Sequence, residues 1–75
     1  MTTATLDAKG LNCPMPIMKA KKSLKGLGSG DTLEILSTDP GSVRDFESFC
    51  KATGNTLVET GEPESGVFRF VIEKG

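Results

Sequence analysis

Two apolar stripes with a helical repeat restrict the folds open to this chain. Apolar residues recur at spacings of three and four along the first stripe, which comprises Ile17, Ala20, Leu24 and Leu27. The second stripe repeats the pattern with Val43, Phe46 and Cys50, and Phe49 lies beside it. This spacing places the residues of each stripe on one face of a helix. The sequence therefore predicts two amphipathic helices, each of which must bury one face.

Segments with a two-residue repeat surround the two stripes and predict four strands. These segments cover residues 6–8, 31–37, 56–60 and 68–73, and a polar turn is expected over 61–66. The resulting order is βαβαββ. Because each strand has one apolar face, we predict an α/β fold of the two-layer α+β sandwich type. Its four-stranded mixed sheet carries two helices packed on one face and leaves the other face in solvent.

Proline, aspartate and glycine mark the ends of the predicted helices. Pro14 suits the first position of the first helix, because its φ is nearly helical and its missing N–H is not needed there. In the second helix, Asp39 is expected to cap the N-terminus and Pro40 to take the first helical position. Gly26 and Gly54 are expected just beyond the C-termini.

Chain length and cysteine content indicate the domain organisation and the cellular compartment. The 75 residues suffice for a single domain over residues 1–75, in which we expect a flexible N-terminus over 1–4. A domain of this size buries only about 60% of its unfolded surface, so any chemistry should lie near the surface. The N-terminus has no signal-peptide pattern, and no stretch approaches the ~20 apolar residues that span a bilayer. With only two cysteines, the sequence predicts a cytoplasmic protein with free thiols and no membrane contact.

The distribution of charge and the lack of histidine narrow the chemistry. Residues 1–30 hold five Lys and one Asp (+4), whereas residues 31–75 hold four basic and nine acidic residues (−5), which sums to −1. The basic half is interpreted either as a solvated helix face or as a docking surface. Histidine, the commonest general base and metal ligand, is absent, and two cysteines 37 residues apart do not match a zinc site. We therefore expect neither a cofactor nor a metal.

Cys13 is the candidate reactive residue because it immediately precedes the first predicted helix. Unpaired N–H groups and the helix dipole stabilise a thiolate at such a position. The flanking Asn12, Pro14, Met15 and Pro16 are expected to shape the site, and the nearest free amides are expected to be those of Met15 and Ile17. A thiolate without a neighbouring base suits sulfur-to-sulfur exchange, which needs no proton relay. The alternative is a small residue that merely occupies the helix cap.

Cys50 differs from Cys13 because it lies on the second apolar stripe. A buried cysteine packs as a small hydrophobic residue, so we interpret Cys50 as part of the core. A resolving thiol that pairs with Cys13 is the alternative.

Short motifs along nearly the whole chain, from Leu6 to Glu73, resemble those of the TusA (SirA-like) family of sulfur-carrier proteins. These motifs are Leu6-Asp7-Ala8, Gly10-Leu11, Cys13-Pro14-Met15-Pro16, Gly30-Asp31-Thr32-Leu33, Asp39-Pro40 and Arg44-Asp45. Cys-Pro-x-Pro after the first strand is the mark of that family. Alone the tetrapeptide is a weak signal, but within a βαβαββ frame it is specific. The resemblance implies the two-layer fold predicted above.

The resemblance also implies a sulfurtransferase in which Cys13 accepts sulfane sulfur as a persulfide. The implied donor is a cysteine desulfurase or a rhodanese-like protein, and the implied acceptor is a DsrE-like or TusD-like protein. The implied pathways are tRNA thiolation, molybdenum cofactor assembly and dissimilatory sulfur oxidation. Lys19, Lys22 and Asp39 are candidate partner contacts.

Two other functions stay open at this point. One is a dithiol redox protein that uses Cys13 and Cys50, although redox pairs usually lie close together in sequence. The other is a non-enzymatic regulatory module that binds RNA or protein through the lysine-rich helix. The near-zero net charge and the lack of an aromatic stacking pattern argue against direct contact with nucleic acid. A monomer is expected, with Met15 and Met18 as exposed apolar residues near the site.

Overall fold

The computed structural model describes residues 3–12 and 14–75, and its elements follow the predicted order. They are β1 (Thr3–Ala8), α1 (Met15–Lys25), β2 (Thr32–Ser37), α2 (Ser42–Thr53), β3 (Thr56–Glu64) and β4 (Val67–Glu73). The strands form one sheet in the order β1-β2-β4-β3. β1 and β2 are parallel, and the other two pairs are antiparallel. The predicted four-stranded mixed sheet is therefore confirmed.

A single core joins both helices to one face of the sheet. The sheet contributes Leu33 and Ile35 from β2, together with residues of β4 that lie opposite them in register. α1 and α2 add the residues of their predicted apolar stripes. The buried core residues are Ala8, Ala20, Leu24, Leu33, Ile35, Phe46, Cys50, Phe70 and Ile72. Both helices thus cover the same face, as expected for the two-layer sandwich.

β1 begins earlier than the sequence predicted. Thr3 and Ala4, which were expected to belong to a flexible N-terminus, pair with Thr32 and Leu33 of β2. The hydroxyl oxygens of Thr3 and Thr32 lie 2.9 Å apart and form a hydrogen bond across the two strands. The strand was predicted to start at Leu6, and it starts three residues earlier because pairing with β2 extends it into a segment that has no strong local pattern. Residues 1 and 2 lie outside the described residues.

Both helices begin later than predicted, and each for a local reason. The carboxylate of Asp39 accepts the Gly41 N–H (3.0 Å) and so closes a turn before α2, instead of capping it. Gly41 is the N-cap and no side chain caps the helix, so the predicted roles of Asp39 and Pro40 were wrong. In α1, Pro14 is the N-cap, one position before its predicted place. The predicted C-terminal glycine of α2 is confirmed, since Gly54 has the left-handed φ of 74°.

β3 extends to residue 64 and so includes most of the segment 61–66 that was predicted to be a turn. Two register shifts between β3 and β4 absorb the additional residues, and the strand ends at Glu64. Pro63 is tolerated because β3 is an edge strand. On the open face, Arg69 donates hydrogen bonds to Glu34 (2.6 Å) and Glu59 (3.1 Å), which ties β3 to β2 across β4. Turn-forming residues in the sequence could not reveal this cross-strand support.

Candidate functional site at the carboxyl ends of β1 and β2

Two loops leave the sheet at one edge, because β1 and β2 are parallel and adjacent. The β1–α1 loop covers residues 9–14, and the β2–α2 loop covers residues 38–41. The crevice outside the carboxyl ends of parallel strands is the usual place for a site in α/β folds. The loop that carries Cys13 therefore adjoins the loop that carries Asp39.

Cys13 itself lies outside the described residues, and its neighbours define the path of the chain on either side. Asn12 and Pro14 are both exposed. The carbonyl oxygen of Asn12 accepts the Met15 N–H at 2.9 Å, and the carbonyl oxygen of Pro14 accepts the Met18 N–H at 3.0 Å. The Met15 amide is therefore engaged, so the expectation that it is free was wrong. The corresponding expectation for Ile17 stays a prediction.

The first two turns of α1 present a mixed apolar and basic surface to solvent. Met15 is 41% exposed and Met18 is 57% exposed, as predicted. Lys19 and Lys22 are exposed too, and the four residues share one helix face at spacings of three and four. We call this set, Met15, Met18, Lys19 and Lys22, the α1 outer face. Within residues 3–12 and 14–75, neither of its lysines forms a salt bridge.

Pro16 differs from Pro14 and Met15, which are exposed. It is buried, on the side of α1 that also buries Ala20 and Leu24. A proline in the first turn has no N–H to leave unpaired and stiffens the backbone there. Pro16 therefore joins the start of α1 to the core, while Met15 and Met18 face outward.

Hydrogen bonds make the β2–α2 loop compact. Ser37, which is fully buried, accepts the Asp39 N–H on its hydroxyl oxygen at 3.2 Å. The carbonyl oxygen of Asp39 accepts two hydrogen bonds from Ser42, one from the N–H (3.0 Å) and one from the hydroxyl (2.6 Å). Backbone and side chain of Asp39 are thus both used to shape the loop.

The two loops are also bonded to each other, through a residue that the sequence analysis did not single out. The Gly10 N–H donates to the hydroxyl oxygen of Thr38 at 2.9 Å. Gly10 has a φ of 82°, a conformation that few residues other than glycine adopt. A threonine between a strand and an Asp-Pro pair is a turn-forming signal that could have drawn attention to Thr38.

Cys50 is a core residue, as its place on the apolar stripe predicted. It is 4% exposed, and burial raises the pKa of its thiol. It lies eight residues after Ser42, or about 12 Å along the axis of α2. α2 starts at the end of the β2–α2 loop, so Cys50 lies about two turns into the helix and within the core. Burial of its thiol disfavours the dithiol redox alternative, in which Cys50 must react as a resolving thiol.

We expect the Cys50 thiol to resist modification in the folded protein. A buried thiol with a raised pKa is both inaccessible and poorly ionised, so a reagent such as iodoacetamide should label Cys50 only after unfolding. Peptide mapping by mass spectrometry before and after addition of urea measures this. Rapid labelling of Cys50 in native buffer would contradict its assignment to the core.

The described residues contain neither a metal-binding cluster nor a membrane-spanning helix. Among the residues that the structure describes, no three His, Cys, Asp or Glu side chains are grouped so as to hold a metal ion. In the same part of the chain, no helix has the length and apolar character needed to cross a membrane.

Comparisons with known proteins agree on one family. The sequence model described as Sulfurtransferase TusA matches residues 4–74. The chain is 56% identical over 69 residues to the sulfur carrier protein TusA of Allochromatium vinosum, covering 92% of this chain and 90% of that protein. It is 47% identical over 73 residues to a putative sulfur carrier protein of Neisseria meningitidis serogroup A, covering 97% of each.

A solved structure gives the same result for the fold. The crystal structure of a SirA-like protein from Desulfitobacterium hafniense superimposes with a TM-score of 0.85 at 32% identity. The match covers 96% of this chain and 97% of that one. Sequence and fold together show that the chain belongs to the TusA family of sulfurtransferases.

Proposed function

We propose that this protein is a sulfur carrier that holds sulfane sulfur as a persulfide on Cys13 and passes it to a cysteine of a partner protein. The observation that carries the proposal is the match of residues 4–74 to the TusA family, within which Cys13-Pro14-Met15-Pro16 supplies the motif cysteine. The position of that motif supports it, since the motif follows β1 at the edge shared with the β2–α2 loop. Membership of the family makes the chain a sulfur-transfer protein. The persulfide on Cys13 is our proposal for how it holds the sulfur.

In the first transfer, the Cys13 thiolate attacks the terminal sulfur of a persulfide on the donor protein. A new S–S bond forms to Cys13 as the S–S bond of the donor breaks, and the donor cysteine leaves as a thiolate. Cys13 then carries –S–SH, and the hydrogen on the terminal sulfur moves with that sulfur. Sulfur is neither oxidised nor reduced overall, so no cofactor is required. Thiolate exchange of this type needs no general base, which accords with a chain without histidine.

In the second transfer, a thiolate of the acceptor protein attacks the terminal sulfur on Cys13. The S–S bond at Cys13 breaks and the Cys13 thiolate is regenerated, while the acceptor carries the persulfide. An accessible cysteine suits both steps, because each one requires close approach of a partner cysteine. We expect the protein to act as a monomer that meets the donor and the acceptor in turn. We expect this to take place in the cytoplasm.

Partner proteins are proposed to contact the α1 outer face and the β2–α2 loop. Met15 and Met18 supply adaptable apolar surface, and Lys19 and Lys22 supply positive charge beside it. Asp39 adds a carboxylate on the neighbouring loop. The donors implied by the family are cysteine desulfurases and rhodanese-like proteins, and the acceptors are DsrE-like or TusD-like proteins. Which of tRNA thiolation, molybdenum cofactor assembly or sulfur oxidation it feeds follows from the acceptor.

The proposal is tested by loading the protein from a cysteine desulfurase with cysteine as substrate. Each transferred sulfur atom should add about 32 Da, and peptide mapping should place the persulfide on Cys13. A Cys50→Ala variant should load as well as the wild type, because Cys50 packs in the core. Absence of the adduct from the wild type, or its location on Cys50, would refute the proposal.

Reversal of charge on the α1 outer face is expected to weaken transfer from the donor. Lys22→Glu should lower kcat/KM for sulfur loading severalfold at low salt, and the difference should shrink at ~1 M salt, where the Debye length is about 3 Å. Lys51→Glu is the matched control, since Lys51 is also exposed and also lies in the last turn of a helix. Equal effects of the two substitutions would show that net charge, and not the α1 outer face, is responsible.

A further inference from the structure

We propose that Thr38 is a positioning residue for Cys13, because its hydroxyl oxygen holds the turn that leads into the Cys-Pro-x-Pro motif. The inference rests on the proposed role of Cys13 and assigns a function to a residue outside that motif. The observation that carries it is the hydrogen bond from the Gly10 N–H to the Thr38 hydroxyl oxygen, at 2.9 Å.

Thr38 is well placed to hold a neighbouring loop, because its own loop is anchored on both sides. It directly follows Ser37, which is fully buried and accepts the Asp39 N–H. On the other side, the carbonyl oxygen of Asp39 is held by two hydrogen bonds from Ser42 at the start of α2. The hydroxyl oxygen of Thr38 is thus attached to a compact loop with defined backbone geometry.

The Gly10–Thr38 bond differs in range from other hydrogen bonds of the same turn. Three of those bonds are local: Lys9 N–H to Asp7, Leu11 N–H to Ala8, and Met15 N–H to Asn12. Gly10, at the centre of the turn, has wide conformational freedom, and no atom lies within 4 Å of a Cβ built on it. The Gly10–Thr38 bond links this turn to the β2–α2 loop.

Loss of this bond should change the reactivity of Cys13 more than the stability of the fold. Gly10 precedes Cys13 by three residues, so release of Gly10 lets the segment before α1 sample additional conformations. We expect this to weaken the stabilisation that the start of α1 would give to a thiolate at position 13. Loss of one intramolecular hydrogen bond changes the ratio of the held to the released conformation of the turn by a factor of about five at room temperature. We therefore expect a decrease of about that size in the rate of Cys13 alkylation near neutral pH.

Three variants test the proposal. Thr38→Val removes the hydroxyl and keeps the β-branched shape, and Thr38→Ser restores the hydroxyl. Thr32→Val is the matched control, because Thr32 is the first residue of β2 whereas Thr38 directly follows the last one, and the Thr32 hydroxyl is hydrogen-bonded to Thr3 of β1. Alkylation of Cys13 by iodoacetamide is followed by peptide mapping between about pH 5 and about pH 10, a range that includes the ordinary thiol pKa of about 8.5. Thermal unfolding of each variant reports its stability.

The expected result separates positioning from a structural role. Thr38→Val should slow alkylation of Cys13 about fivefold near neutral pH and move the midpoint of the pH profile upward. Thr38→Ser should restore the wild-type profile, and Thr32→Val should keep it even though it loses a side-chain hydrogen bond of similar length. An unchanged profile in Thr38→Val, or the same shift in Thr32→Val, would overturn the proposal.

The outcome can be told apart from failure of the proposed function. Alkylation requires no sulfur donor, so the pH profile tests the effect of Thr38 on Cys13 whether or not a persulfide forms. Loading by a cysteine desulfurase tests the persulfide separately. A shifted profile together with absent loading would support the role of Thr38 and refute the carrier function.

Discussion

Replacement of Cys13 by serine is expected to abolish sulfur transfer in a reconstituted relay. A serine hydroxyl is almost entirely protonated at neutral pH and forms no persulfide, so both transfers lose their nucleophile. The rate at which sulfur reaches the acceptor should fall on the order of 10³-fold or more, as when the nucleophile of a covalent mechanism is removed. The measurement is the appearance of labelled sulfur on the acceptor when donor, carrier and acceptor are mixed.

The control for this experiment is the second cysteine. Cys50→Ala should transfer sulfur at a rate close to that of the wild type, because Cys50 is 4% exposed and lies in the core. Thermal unfolding of Cys13→Ser should confirm that the variant is folded. Full transfer activity in a folded Cys13→Ser variant would contradict the assignment of Cys13 as the carrier residue.

Truncation of Phe46 to alanine is expected to produce the largest loss of stability in the chain. Phe46 of α2 is fully buried, and the centroid of its ring lies 4.7 Å from the ring centroid of Phe70 in β4. Phenylalanine-to-alanine changes in a core cost about 3–5 kcal/mol. A domain of this size has a total stability of about 4–11 kcal/mol, so the variant should be largely destabilised. The free energy of unfolding in urea, measured by circular dichroism, gives the value.

A neighbouring phenylalanine provides the comparison. Phe49 packs edge-on against Phe46 with the ring centroids 6.4 Å apart, but it is only partly buried. Phe49→Ala should therefore cost less than Phe46→Ala in the same experiment. Equal losses for the two variants would show that burial at Phe46 does not dominate the contact between α2 and the sheet.

The fold was largely predictable because its signals are local and periodic. The stripes of α1 and α2 contain Ala20, Leu24, Phe46 and Cys50, all of which are buried. A residue that repeats with the period of its element must face the core, whatever the rest of the chain does. The same reasoning placed Cys50 in the core and predicted a second layer formed by the sheet.

The errors lie where a tertiary or short-range partner decides the structure. Thr3 joins β1 because Thr32 and its neighbours pair with it, and nothing in the local pattern requires this. Asp39 has the residue type of an N-cap, yet its carboxylate accepts the Gly41 N–H in a turn that precedes α2, and Gly41 is the N-cap. Two register shifts carry β3 through a segment rich in turn-forming residues.

The sequence by itself predicted the motif cysteine as the reactive residue and identified the TusA family, to which the chain belongs, because motifs depend only on residue type and spacing. Only the tertiary structure decided which residues meet the site from elsewhere in the chain. Parallel pairing of β1 with β2 brings Thr38 to Gly10, 28 residues apart in sequence. No local pattern encodes that bond, since its geometry depends on how two strands align and where their loops leave the sheet.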